Sequence, residues 1–158
     1  MPRPVYQLLS HSYSVDEDTK LVSIYEVVDT ITVLKLPAPA PGRVAFFAFR
    51  PMAVLSCWAI DLGKGDSFDD KFEFELELQH PDGSVMPFAK TEFQFILPHL
   101  AKRFQIRLEE AITWPKGGVA VIEGRVRKVG TQKWLTQSYL LNVKIEQPAE
   151  PTSTAPLG

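Results

Sequence analysis

Between Lys71 and Gln79 apolar and polar residues alternate without a break, and the stretch runs on as FEFELELQHPDGSVMPF, Phe72 to Phe88. A period of two is the period of a β-strand. It puts Phe72, Phe74, Leu76 and Leu78 on one face and Glu73, Glu75, Glu77 and Gln79 on the other. A one-residue slip would turn every glutamate into the core, so the pattern fixes register as well as strand identity. His80-Pro81-Asp82-Gly83 then ends the strand, with Pro81 setting φ and Gly83 free to take a positive φ. The glutamate row is either a site for a cation or partner, or the wet face of a sheet.

The rest of the chain reads the same way. Val5 to Tyr13 is a first strand, closed by the turn residues of SVDEDTK. LVSIYEVVDTITVL is β-branched and reads as one kinked strand or two. Pro37 to Gly42, PAPAPG, cannot join a ladder and reads as an extended crossing between two sheets. RVAFF after it reads as a short helical turn or strand. Met52 to Asp61 is a near-continuous apolar run, the pattern of a central strand buried on both faces. Thr91 to Leu97 reads as a strand ended by Pro98, and PHLAKRF as a short helical turn. Val119 to Val129 and Trp134 to Ile145 form a hairpin around GTQK. Turns every eight to twelve residues and little helix predict an all-β fold: an antiparallel two-sheet β-sandwich of about 8–9 strands. One domain is expected over 1–147, with 148–158 a flexible proline-rich tail.

SVDEDTKLVSIYEVVDTITV (Ser14 to Val33) opens with an Asp-containing turn before a hydrophobic strand. FEFELELQHPDGSVM is followed by a Phe-rich strand and the late WPKGGVAVIEGRV. Together these stretches, over about residues 5 to 145, resemble a family of uncharacterised bacterial β-sandwich proteins, a domain of unknown function. The resemblance implies the fold and carries no catalytic residue across. Val119 stands where the family pattern places an aromatic in that late strand.

Net charge is −2 over 158 residues, which gives no global pull toward nucleic acid or anionic membrane. Locally the charge is uneven: residues 101–133 hold eight basic against three acidic side chains, and 61–80 hold seven acidic against two basic. Opposite charges on neighbouring strands pair across a sheet, and that explains both excesses without a ligand. No apolar run is long enough to cross a membrane as a helix, and the N-terminus has no secretory pattern, so a cytoplasmic protein is expected. The single cysteine, Cys57, lies in an apolar run and reads as a core residue. His11, His80 and His99 stand singly, without metal-ligand spacing. There is no nucleophile elbow and no phosphate loop.

The expected function is therefore non-catalytic: a β-sandwich, not an enzyme, acting through protein–protein interaction or self-association, such as a homodimer through an edge strand or sheet face. The expected partner-binding residues are Arg125, Arg127, Lys128, Lys133 and Trp134, on the late hairpin, with Trp134 flanking a polar tip. No cofactor, no metal and no membrane partner is expected. The alternatives are a sandwich binding a sugar or calcium at its end loops, through Asp16, Glu17 and Asp18 or Asp61, Asp66, Asp69 and Asp70, and, less favoured, single-stranded nucleic-acid binding through 101–133.

Overall fold

The computed structural model describes residues 1–16, 18, 22–34, 52–108, 112 and 114–146. Its strands are β1 (Arg3–Val15), β2 (Val22–Val27), β3 (Thr30–Leu34), β4 (Met52–Ala59), β5 (Phe72–Gln79), β6 (Val85–Phe93), β7 (Ala101–Leu108), β8 (Gly118–Lys128) and β9 (Leu135–Glu146). They form two sheets, ordered β2-β1-β4-β7 and β3-β9-β8-β5-β6. The protein is a two-sheet all-β sandwich.

β5 obeys its sequence period: Phe72, Phe74, Leu76 and Leu78 are buried and the glutamates between them are half-buried. At one end of the core Phe74 stacks on Phe104 with centroids 4.0 Å apart, and Phe93 meets Phe72, Phe95 and Phe104 at 5.1–5.6 Å. Tilted and offset pairs of this kind add to the burial term, roughly 0.5–1.5 kcal/mol each. β4 is buried along its whole length, as its unbroken apolar run implied, and lies between β1 and β7. The turn after β5 closes as its residues dictate: the His80 amide donates to Ser84, and Gly83 sits at φ 88°. Only glycine holds that conformation at no cost.

A polar cluster crosses the apolar interior. Gln7 of β1 donates to the carbonyl oxygens of Ile122 (2.6 Å) and Gln137 (3.3 Å) in the opposite sheet. Ser56 of β4 receives the Gln137 amide at 2.9 Å and the Trp58 indole N–H at 3.0 Å, and donates to Gln7 at 3.3 Å. Every member is answered, which is the condition for such a network to stabilise a core. Gly124 makes the room: a Cβ there would lie 2.1 Å from the Gln7 side-chain oxygen.

Three expectations about elements change, and the choice left open for LVSIYEVVDTITVL is decided. LVSIYEVVDTITVL is two strands in different sheets, because the chain swings across at Val28 and Asp29, with Glu26 just before at φ 53° and Tyr139 donating to the Val28 carbonyl at 2.8 Å. β3 then pairs with β9 in parallel, the one departure from antiparallel pairing among the described strands. β6 starts at Val85 and ends at Phe93, so the strand expected over Thr91 to Leu97 is displaced. Pro87 is tolerated there because β6 is an edge strand. Ala101 to Phe104 belong to β7 rather than to a helical turn, since pairing with β4 outweighs their weak local preference. The single described helical turn is 3₁₀, Leu62–Lys64. The expected proline crossing over 37–42, RVAFF and the tail 148–158 lie outside the described residues. The strands flanking 35–51, β3 and β4, do lie in different sheets.

Candidate functional site

The outer face of the five-stranded sheet gathers most of the residues expected to bind a partner. Antiparallel register sets Glu73 opposite Arg127 and Glu75 opposite Arg125. Arg127 Nε donates to Glu73. Arg125 reaches Glu75 at 2.7 Å and Glu77 at 3.3 Å, and Lys90 of β6 reaches Glu75 at 2.8 Å. The Lys90 hydrogen bond, helped by Arg125, holds the Glu75 carboxyl below the usual carboxylate range despite some desolvation. Trp134, half-buried, lies under both guanidinium groups, with Arg127 Cζ 4.5 Å and Arg125 Cζ 5.2 Å from its ring centroid. Contacts of this kind contribute about 0.5–1 kcal/mol each. Lys128 pairs with Asp70 at 2.7 Å, which lowers the Asp70 carboxyl. Lys133 stands exposed at the hairpin tip.

The register thus brings Arg125, Arg127 and Trp134 together and occupies them internally, with Lys128 tied to the neighbouring loop. The glutamates find their cations on β8 and β6. Arg103 and Arg107, which belong to the same basic stretch of sequence, lie on the outward face of β7 in the opposite sheet. The match is not complete. Glu77 faces Glu123 across the β5–β8 ladder, and Glu73 faces Glu92 across β5–β6. Like charges directly opposite repel, so this face keeps a carboxylate surplus, with Arg125 shared between Glu75 and Glu77.

The acidic loops are also internally engaged. Asp66 is buried, holds the Met1 ammonium and accepts the Asp61 amide at 3.0 Å. Asp61 meets Lys64 at 3.6 Å. Asp16 caps the Asp18 amide at 3.1 Å, and Glu17 lies outside the described residues. Among the described residues no group of three or more His, Cys, Asp or Glu is placed to hold a metal ion. Cys57 is buried, and desolvation pushes its thiol up against the opposing pull of Arg103 and Tyr6. His80 is buried edge-on to Trp114 at 5.2 Å, and desolvation pulls its imidazole down.

Sequence reasoning overlooked two surfaces at opposite ends of the β6–β7 unit. The loop joining these strands carries Ile96, Leu97 and Leu100, exposed at 68, 68 and 55%. The loop's base is fixed: Phe95 is buried against Phe72 and Phe93, Gln94 donates to Asp69 at 3.2 Å, and the Ile60 amide donates to Leu100 at 2.9 Å. A firmly rooted loop therefore projects three aliphatic side chains. The available signal was FILPHL itself, where a proline closes an apolar run before it can pair. At the far end a groove of about 400 Å³ opens between the edge strands of the two sheets. Met86, Pro87 and Phe88 of β6 form one wall, Ile106 and Leu108 of β7 the other, with Ile112 adjoining and Arg107 the single charged residue.

No protein-family model matches this chain, no curated protein matches it, and no solved structure matches it. Among the described residues no helix is long and apolar enough to cross a membrane.

Proposed function

We propose that this protein is a non-catalytic interaction module, a β-sandwich that works by docking through its surface in self-association or on a protein partner. The observation that carries the reading is the Ile96–Leu100 loop. Three large aliphatic side chains within five residues stay in water on a base held by core packing and hydrogen bonds. Contiguous exposed apolar groups rimmed by polar ones mark interaction sites. The buried, raised thiol of Cys57 withdraws the one cysteine from nucleophilic work and fits a non-catalytic role.

This reading moves the docking surface from the Arg125–Trp134 hairpin to the β6–β7 loop, because Arg125, Arg127, Lys128 and Trp134 already have intramolecular partners. Hydroxyl-radical footprinting in concentrated extract of the cells that make the protein tests it, against the same protein purified and dilute. Ile96, Leu97 and Leu100 are expected to label more slowly in extract, while Leu140, exposed on the outer face of β9, labels equally in both. Equal labelling of the loop in the two samples would show that nothing docks there.

A further inference from the structure

We propose that His80 and Trp114 form an acid-sensitive latch at one end of the sandwich: a proton taken up by His80 drives the imidazole out of the core toward Asp82 and releases the β5–β6 turn from the segment that leads into β8. The device is independent of the docking loop, which follows the end of β6, whereas this turn precedes its start.

The placement comes from the strand. Phe72, Phe74, Leu76 and Leu78 face the core, and His80, two residues on, takes the next inward place. It is buried at 9% exposure. Trp114, at 5%, meets it edge-on, with ring centroids 5.2 Å apart and planes at 70°. A second contact joins the same two segments. A Cβ on Gly118 would lie 3.1 Å from the Pro81 Cβ, so the turn sits directly on the backbone where β8 begins.

The chemistry comes from two buried nitrogens. Among the described residues neither His80 Nδ1 nor Trp114 Nε1 has a hydrogen-bond partner. A neutral imidazole tolerates this, because it can keep its one proton on Nε2 and leave Nδ1 a bare acceptor. The imidazolium carries an N–H on both nitrogens, so Nδ1 becomes a charged donor with nothing to receive it. Trp114 cannot help, since an indole N–H is a donor only. Burial accordingly pulls the imidazole below its ordinary range, and Asp82 alone among the described titrating groups pulls the other way. Lys116, two residues beyond Trp114, is exposed. The adjoining starts of β6 and β8, Val85 and Met86 and then Gly118 to Ala120, carry no charge. Relief for the imidazolium therefore lies outside the core, beside the exposed Asp82. The latch's contribution is complete above the ordinary imidazole pKa and is lost as pH falls from there through the lower folded value.

The test is amide hydrogen exchange of the full chain by NMR between about pH 7.5 and 5.5, corrected for the intrinsic pH dependence of exchange. The His80 amide donates to Ser84 and the Gly83 amide to His80, so both report on the turn. Their protection is expected to fall on acidification by up to about tenfold, the limit that one proton sets a pH unit below the ordinary imidazole pKa of about 6.5. Phe74, in the middle of the β5 core row, keeps its protection. His80→Leu extends that apolar row and removes the titrating group, so its turn stays equally protected across the range. Asp82→Asn keeps the side-chain oxygen that caps the Ser84 amide, so the turn still closes, and it moves the response to lower pH. A wild-type turn indifferent to pH overturns the proposal, as does a His80→Leu turn that loosens with acid as the wild type does. Loss of protection at Phe74 in step with the turn would make the event general acid unfolding and overturn it as well. An Asp82→Asn response at the wild-type pH would remove Asp82 as the receiving group, and that arm decides even if His80→Leu fails to fold.

Discussion

On the outer face of the five-stranded sheet, Glu73, Glu75, Arg125, Arg127 and Trp134 are charged or aromatic and stand in rows, yet the molecule itself answers each of them. In the loop after β6, Ile96, Leu97 and Leu100 are plain aliphatics, and the chain leaves them in water. Residue type is therefore a poor guide to which surface is available. On a sheet, register decides: strict alternation on β5 and β8 places opposite charges face to face, and the pairs then hold the two strands together. In a loop there is no ladder to supply a partner, so the side chains stay uncovered however strongly they favour burial.

The contrast predicts that substitutions on the sheet face cost stability and substitutions on the loop cost association. The largest effect is expected from Arg125→Glu. It takes Arg125 away from Glu75 and Glu77, leaving Lys90 on Glu75, and adds a fourth acid to Glu75, Glu77 and Glu123 on a half-buried face, and chemical denaturation should show a loss of about 2 kcal/mol. A loss under a few tenths would mean that the strip does not hold the sheet. A double-mutant cycle on Glu73→Ala and Arg127→Ala comes next, with a coupling of about 0.5–1 kcal/mol that falls as salt is raised. Zero coupling would place that pair with ordinary surface contacts.

The same strip gives an acid limb. The Glu75 carboxyl titrates below its unfolded value, chiefly through Lys90. Its contribution is therefore complete above the unfolded carboxylate pKa and is lost as pH falls through the lower folded one. Lys90→Met should flatten that part of the stability profile, and an unchanged acid limb would remove Lys90 as the cause. The smallest change in stability is expected for Ile96→Asp, within about 0.5 kcal/mol of wild type. A larger loss would show that the loop packs on its own molecule and end its claim as a docking surface.

Which cations meet the β5 glutamates was set by register with β8 and β6, but the period-two pattern exposed the strand and its dry face, because alternation is a local property that survives folding unchanged. The apolar run of β4 and the hairpin of β8 and β9 were visible for the same reason. The sheet change at Val28 and Asp29 was not, since two strands joined by two residues look like one strand until the second finds β9. Pro87 obscured the start of β6, because only position at the edge of a sheet makes proline harmless there. The aliphatic loop read as the end of a strand, and its exposure depends on what the rest of the fold does not bring to it.

The polar cluster that joins the sheets carries a constraint on how this sequence can drift. Gln7, Ser56 and Gln137 bond one another across the interior, and Gly124 leaves the space in which Gln7 lies. Losing any one of them alone strands a buried polar partner, and gaining a methyl at 124 displaces Gln7 from two carbonyls. Apolar replacement avoids that penalty only if Trp58 changes as well, since its buried indole N–H donates to Ser56. The five positions, spread along the chain, are thus tied into a single unit of inheritance, and related sequences should vary at them together or hold all five unchanged.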